Sequence, residues 1–404
     1  MQSRYLIRLK VTVMNSFTKL RYLWVICFLL GFSFGNAQAR KEKFYSDLLK
    51  DDRIVTVSLP ASYKTQTQKK YPLVIILDGE YLFEPFNGAL QYGAYWNDLP
   101  ECVVVAIHMN MTKDQRQLDF YMDAQTGLPD ERGVDFFDFI YKEFVPFLDS
   151  KYRLTPFRIL VGHGLSATFS NLFLYREDPL FNAFIIMSAE PTTNMSENLA
   201  QIMKTTKRKI YYYQSVAEND PKDIIAQAQN LYAALQTDQK IEVLYQMQVI
   251  PDATHYSGVL FAIPQALAHI FSIYQPINAT EFQDVILKID KGFADYLSKK
   301  YEAIDKSFSL KIPIRYLDFK AMEEAIIQLE KFDEFVALSD LAKKQYPKSL
   351  LSDYYLAIMN DLKGDYRKAQ KFYLAAFQKE SIGDITKDMV FERNEAIKNL
   401  ANTN

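Results

Sequence analysis

The sequence predicts an α/β protein with a mostly parallel sheet, followed by an all-helical region. Three observations carry this. Short β-rich runs alternate with helix-like stretches from about residue 52 to 275. Several of those runs are continuous Val, Ile and Leu, as in strands covered on both faces. Beyond Pro276 the strand-like runs stop, and residues 319–401 are rich in Ala, Lys, Glu and Leu. Alternation of this kind is the signature of helices layered on a sheet.

Taken in order, strands are expected at 53–59, 71–77, 102–107, 158–161, 183–187, 209–213 and 243–249, with helices such as 133–152 and 221–239 between them. In the C-terminal region, Glu330 and Phe332 with Ala342 recur about 34 positions later as Gly364 and Tyr366 with Ala376. Together with Ala369 and Tyr373 this follows the small and aromatic positions of tetratricopeptide-like repeats, although Phe335 stands where a small residue is expected. Such helices would either pack onto the α/β domain or present a docking groove for a peptide or protein partner. The resulting division is a leader over 1–39, an α/β domain over 40–278, connecting helices over 279–318 and a helical-repeat domain over 319–404.

The leader is read from Lys19 and Arg21, the apolar run 22–34 and then Ala37-Gln38-Ala39, the order of a signal peptide with cleavage after Ala39. Counted from Met14 it has an ordinary leader length, and counted from Met1 a long one. The apolar run is shorter than the roughly 20 residues a spanning helix needs, so an exported protein, periplasmic or secreted, with no stable membrane anchor is expected. Cys27 lies in the leader, which leaves Cys102 as a buried packing residue with no disulfide partner. No Cys/His spacing suggests zinc, and no metal or cofactor is expected. With 404 residues, 49% of them hydrophobic, the chain can fill a large core. A net charge of -2 without basic clustering argues against nucleic acid.

The stretch 158–170, RILVGHGLSATFS, runs from an apolar strand into Gly162-His163-Gly164-Leu165-Ser166 and then into a helix-like segment. This is the local order of a nucleophile elbow, G-x-S-x-G, with glycine at the central position. Acyl transfer on such a turn needs a nucleophile, a histidine base, an orienting carboxylate and two backbone N–H donors for the oxyanion. Of the four histidines, His255 follows the last strand and precedes a helix, which is where a base belongs; His269 reads as structural. The acid is expected after the 209–213 strand, with Glu218 as first choice and Asp220 as second. The oxyanion donors are expected at the backbone of Leu165 and at Glu80 or Tyr81. Ser166 offers an alternative nucleophile through a two-residue slip, but positions two apart on a helix point about 200° away from each other.

Residues 53–60, Tyr71-Pro72 through Asp78-Gly79-Glu80, Arg116 with Asp119, Phe144-Val145-Pro146-Phe147, Tyr152-Arg153, 158–166 and His255 together resemble the esterase D family of α/β hydrolases. The resemblance covers roughly residues 45 to 275. It implies an α/β-hydrolase fold, His255 as base, Glu218 or Asp220 as acid, and a serine where this chain has Gly164. It also implies an ester, acyl or glycan-derived ligand, such as an acylated sugar, a feruloyl or acetyl ester or a siderophore lactone. The glycine makes an impaired esterase the expected outcome, with hydrolysis through Ser166 or a His-activated water as the alternative. The aromatic-rich segments 82–96 and 109–129 are candidate lid and pocket segments; Tyr92, Tyr95 and Trp96 could stack on an aromatic acid or sugar, although such residues are more often core or rim packing.

Overall fold

The computed structural model describes residues 39–109, 114–236 and 242–403; residues 1–38 of the expected leader lie outside the described residues. The strands are β1 (Arg40–Ser46), β2 (Asp51–Ser58), β3 (Tyr71–Ile76), β4 (Val103–Ile107), β5 (Leu154–His163), β6 (Ala183–Met187), β7 (Ile210–Ala217) and β8 (Val243–Ile250). They form one eight-stranded sheet in the order β1-β2-β4-β3-β5-β6-β7-β8. Strand β2 is antiparallel to both β1 and β4, and every other pairing is parallel.

The helices are α1 (Gly79–Tyr95), α2 (Gln115–Asp119), α3 (Arg132–Asp138), α4 (Val145–Lys151), α5 (Leu165–Ser170), α6 (Met195–Thr205), α7 (Lys222–Gln236), α8 (Ser257–Ile270), α9 (Ala279–Asp284), α10 (Phe293–Phe308), α11 (Tyr316–Gln328), α12 (Glu334–Gln345), α13 (Leu351–Leu362), α14 (Tyr366–Phe377) and α15 (Lys387–Thr403). The expected helix over 133–152 is in fact α3, a wider π-helical stretch Phe139–Phe144 and then α4. Among the described residues no helix is long and apolar enough to cross a membrane.

The continuous apolar strands have two buried faces because successive side chains alternate across the sheet. Leu73, Ile75, Val103 and Val105 face one core, completed by Phe120, Phe136, Phe139 and Phe169. Val74, Ile76, Val104 and Ala106 face the other, under α1, α8 and α10. Strand β1 was not expected from the sequence: Arg-Lys-Glu-Lys-Phe-Tyr-Ser has no apolar run, and its charges suit an exposed sheet edge.

The second core does not stop at the sheet. It continues from Phe157 and Tyr211 through Phe308 on α10 to Phe319, Leu338, Tyr355 and Tyr373 on the C-terminal helices. Asp318, fully buried, accepts hydrogen bonds from the Ile277 amide (2.8 Å) and the Tyr301 hydroxyl (2.6 Å), which locks α11 to the segment before it. The junction drawn at residue 319 therefore runs through packed side chains. Two changes test this joint. Phe319→Ala should lower stability by roughly 3–5 kcal/mol through cavity formation. Asp318→Ala should cost on the order of 2 kcal/mol by leaving buried donors unpaired. Urea denaturation should show the sheet and the helices melting in one transition in both variants.

Candidate functional site

Strand β5 ends in a turn that aims its tip at the C-terminal edge of the sheet. Gly164 takes φ +60° and ψ -124°, and α5 begins at the next residue. A side chain is strained at that backbone position, and glycine accepts it without a Cβ penalty. The neighbouring Gly162 has a different reason: a Cβ there would come within 2.6 Å of the Ser166 carbonyl and the Ala167 amide. Strand and helix can pack this closely only around a bare α-carbon.

The loop after β8 brings His255 to this turn. A Cβ built on Gly164 would lie 3.6 Å from His255 Nε2 and 3.5 Å from Glu190 Oε1, both ordinary contact distances. Behind the ring, His255 Nδ1 donates to Asp220 Oδ1 at 2.6 Å. The Asp220 side chain is fully buried, and its second oxygen accepts from the Ser188 hydroxyl and the Ala217 amide, each at 2.6 Å. These bonds fix the imidazole tautomer, so Nε2 is left as an acceptor facing Gly164.

The geometry corrects the order of the two acid candidates. Residues Ala217 to Asp220 form a tight turn, with the Asp220 amide donating to Ala217 O, and this folds the Asp220 carboxylate back beneath the end of β7. Glu218 points the other way and accepts from the Asp252 amide at 2.7 Å. Ser166 is fully buried, and its hydroxyl donates to His163 O (3.1 Å) while accepting from the His163 amide (2.9 Å). That hydroxyl is committed to the strand-to-helix turn and does not face His255.

Of the expected oxyanion donors, the Leu165 amide sits in the first turn of α5, where helix amides have no carbonyl of their own helix to bond. Glu80 lies in the first turn of α1. The Tyr81 amide is used instead to donate to Asp78 O. Tyr92, Tyr95 and Trp96 are 70%, 77% and 59% exposed at the far end of α1, about 20 to 25 Å of helix away from Gly79, so they do not line this site. Arg116 does not pair with Asp119: its guanidinium makes a two-pronged bond to Asp78 (2.6 and 2.9 Å), while Asp119 is held by the buried Arg53.

His163, a candidate for nothing in the sequence beyond its place in the elbow, braces the main chain of His255. Its Nε2 donates to His255 O at 3.1 Å, and its Nδ1 accepts from the Tyr81 hydroxyl at 3.1 Å. Burial, reinforced by the neighbouring His255, lowers its pKa to about 4. Glu190 and the Asp78–Arg116 pair were also missed. Glu190 follows β6 by three residues, and its position at the same carboxyl edge of the sheet as the other site loops is the signal that could have found it. Among the described residues no group of three or more His, Cys, Asp or Glu side chains could hold a metal ion.

A strand-turn-helix elbow, a histidine on the loop after the last strand and a buried aspartate behind it, carried on this sheet order, define an α/β-hydrolase-type domain. Residues 46–243 match the family model described as "Putative esterase". No curated protein matches the chain in sequence. Among solved structures, a protein from Capnocytophaga ochracea described as uncharacterised is 24% identical with a TM-score of 0.77, covering 90% of this chain and 100% of its own. An IroE-like serine hydrolase from Shewanella oneidensis is 19% identical with a TM-score of 0.54, covering 76% and 99%. The BES protein from Bacillus cereus is 18% identical with a TM-score of 0.50, covering 58% and 95%. These likenesses establish the fold. The first extends across the C-terminal helices as well.

Two measurements probe the site. Asp220→Ala should destabilise the protein by about 3 kcal/mol in urea, because it strips three buried donors of their acceptor. For His163, the folded state favours the neutral ring, so the unfolded chain takes up the proton first as pH falls. Stability should therefore be full above the ordinary imidazole value of 6.5 and decline by up to about 3 kcal/mol as pH drops to about 4. His163→Gln should flatten that decline.

Proposed function

We propose that the α/β domain binds an ester or acyl ligand at the Gly164 turn and does not pass through a covalent acyl-enzyme. The observation that carries this reading is the contact a Cβ at Gly164 would make, 3.6 Å from His255 Nε2. A serine hydroxyl there would be within reach of a base already oriented by Asp220, yet the chain supplies no side chain. The hydrogen bonds that occupy Ser166 speak against its serving as a substitute. In a comparable triad, losing the serine costs on the order of 10⁶ in turnover, about 8 kcal/mol of transition-state stabilisation.

The ligand class follows from the family: an acylated sugar, a feruloyl or acetyl ester or a siderophore-type lactone. A cleft of about 470 Å³ beside the turn, lined by Phe120, Tyr121, Met122, Leu165, Glu190 and Pro191, supports it as the place for an acyl group. The same proposal has the protein acting after export, in the periplasm or outside the cell, and assigns contacts with a protein partner to the C-terminal helices.

A serine-reactive fluorophosphonate tests the central point. The natural chain should remain unlabelled, while Gly164→Ser should be labelled and should hydrolyse p-nitrophenyl acetate in a way that His255→Ala abolishes. Because φ is +60° at this position, the added serine should also cost on the order of 1 kcal/mol of stability. Labelling of the natural chain at any serine would refute the reading.

A further inference from the structure

We infer that His255 as base and Glu190 as a second hydrogen-bond acceptor hold one water over Gly164, so that the site hydrolyses esters slowly and directly. The inference rests on the reading that Gly164 stands in place of a nucleophile, and it adds a reaction to it. Around the position where a Cβ would sit there are two acceptors, Glu190 Oε1 at 3.5 Å and His255 Nε2 at 3.6 Å. A serine hydroxyl has one proton and can satisfy one of them. Water has two protons and suits both.

Glu190 is held for this role through its main chain. Its carbonyl accepts from the Thr168 hydroxyl of α5 (2.8 Å) and from the Gln227 side chain of α7 (3.2 Å), which fixes the loop while leaving the exposed carboxylate directed at the turn. Its charge also reaches Arg116, whose pKa it helps to raise. Glu190 thus stands at the junction of the cleft and the base.

The step balances without any other reactant. The water oxygen bonds to the acyl carbon, one of its protons passes to His255 Nε2, and its other O–H stays hydrogen-bonded to Glu190. The carbonyl oxygen becomes an oxyanion within reach of the Leu165 amide. The new imidazolium lies between two carboxylates, Asp220 behind and Glu190 in front, which favours proton transfer to it. Collapse then breaks the bond to the leaving oxygen, which takes the proton from His255, and an acid and an alcohol result. The substrate class is an ester whose acyl part fits the cleft beside Leu165 and whose leaving group points to solvent.

The test is a double-mutant cycle between Glu190 and Gly164, read as steady-state and burst-phase hydrolysis of p-nitrophenyl acetate, with intact-protein mass spectrometry. The natural chain should turn over slowly with no burst and no acyl adduct. Glu190→Gln should lower kcat about tenfold or more, and His255→Ala should lower it to the buffer rate. In the Gly164→Ser background, where the serine takes the water's place, Glu190→Gln should change kcat by less than about threefold. Circular dichroism and the unfolding temperature of Glu190→Gln should match the parent, since the side chain is exposed. A natural chain no faster than buffer while Gly164→Ser is active would overturn the water mechanism and leave the binding reading intact. Equal rates for the parent and Glu190→Gln would overturn it as well. An acyl adduct on the natural chain would instead overturn the binding reading itself.

Discussion

The site depends on one buried anion. The Asp220 carboxylate is out of contact with solvent, and a charge in that position is tolerable only if every lone pair that matters is used. It is served by Ser188 from the end of β6, Ala217 from the end of β7 and His255 from the loop after β8. Three separate segments of chain thereby converge on one point. Removing the carboxylate would release all three, so this part of the site is also part of what holds the carboxyl edge of the sheet together.

That dual role gives His255 and Asp220 a structural reason to stand together behind the Gly164 turn. A serine at Gly164 would contribute only to chemistry and would oppose folding through its strained φ. The aspartate and histidine contribute to both. Natural stability is a small difference between large terms, and the roughly 1 kcal/mol of strain that a side chain would add at the turn is a real share of it. The site therefore divides into a turn that is relieved of strain by carrying no side chain and a buried, structural half that holds the fold together. His163 belongs to the structural half, because its neutral ring links Tyr81 on α1 to the main chain of His255.

How much of this was legible in the sequence depends on whether a feature is local. The parallel strands could be read because burial on two faces writes itself as unbroken Val, Ile and Leu runs, whereas β1, an edge strand built of charge, carries no such mark. Gly164 and His255 were legible from chain order. The choice between Glu218 and Asp220 was not, because it turns on a four-residue turn that sends one carboxylate inward and the other outward. Arg116 stands near Asp119 in sequence yet binds Asp78 across the fold, and only tertiary structure could assign that partner. Tyr92, Tyr95 and Trp96 stand away from the turn for a related reason: residues on one helix share a segment of sequence but are separated along its axis.

The C-terminal helices raise a question of scale. Their small and aromatic positions, Ala342, Ala369, Tyr373 and Ala376, are all buried, so the pattern that suggested repeats does describe close helix packing. Yet repeat helices stack as a quasi-one-dimensional array in which each unit touches its neighbours. Here the first of them, α11, is also tied to the α/β domain through Asp318 and Phe319, and the core beneath it is continuous with the sheet. A movement of these helices relative to the sheet would have to open that core or break a buried carboxylate's bonds. Any signal they receive from a partner would therefore reach the α/β domain as strain on packed side chains, and α10, lying between Phe157 and Phe319, is the element that would bear it.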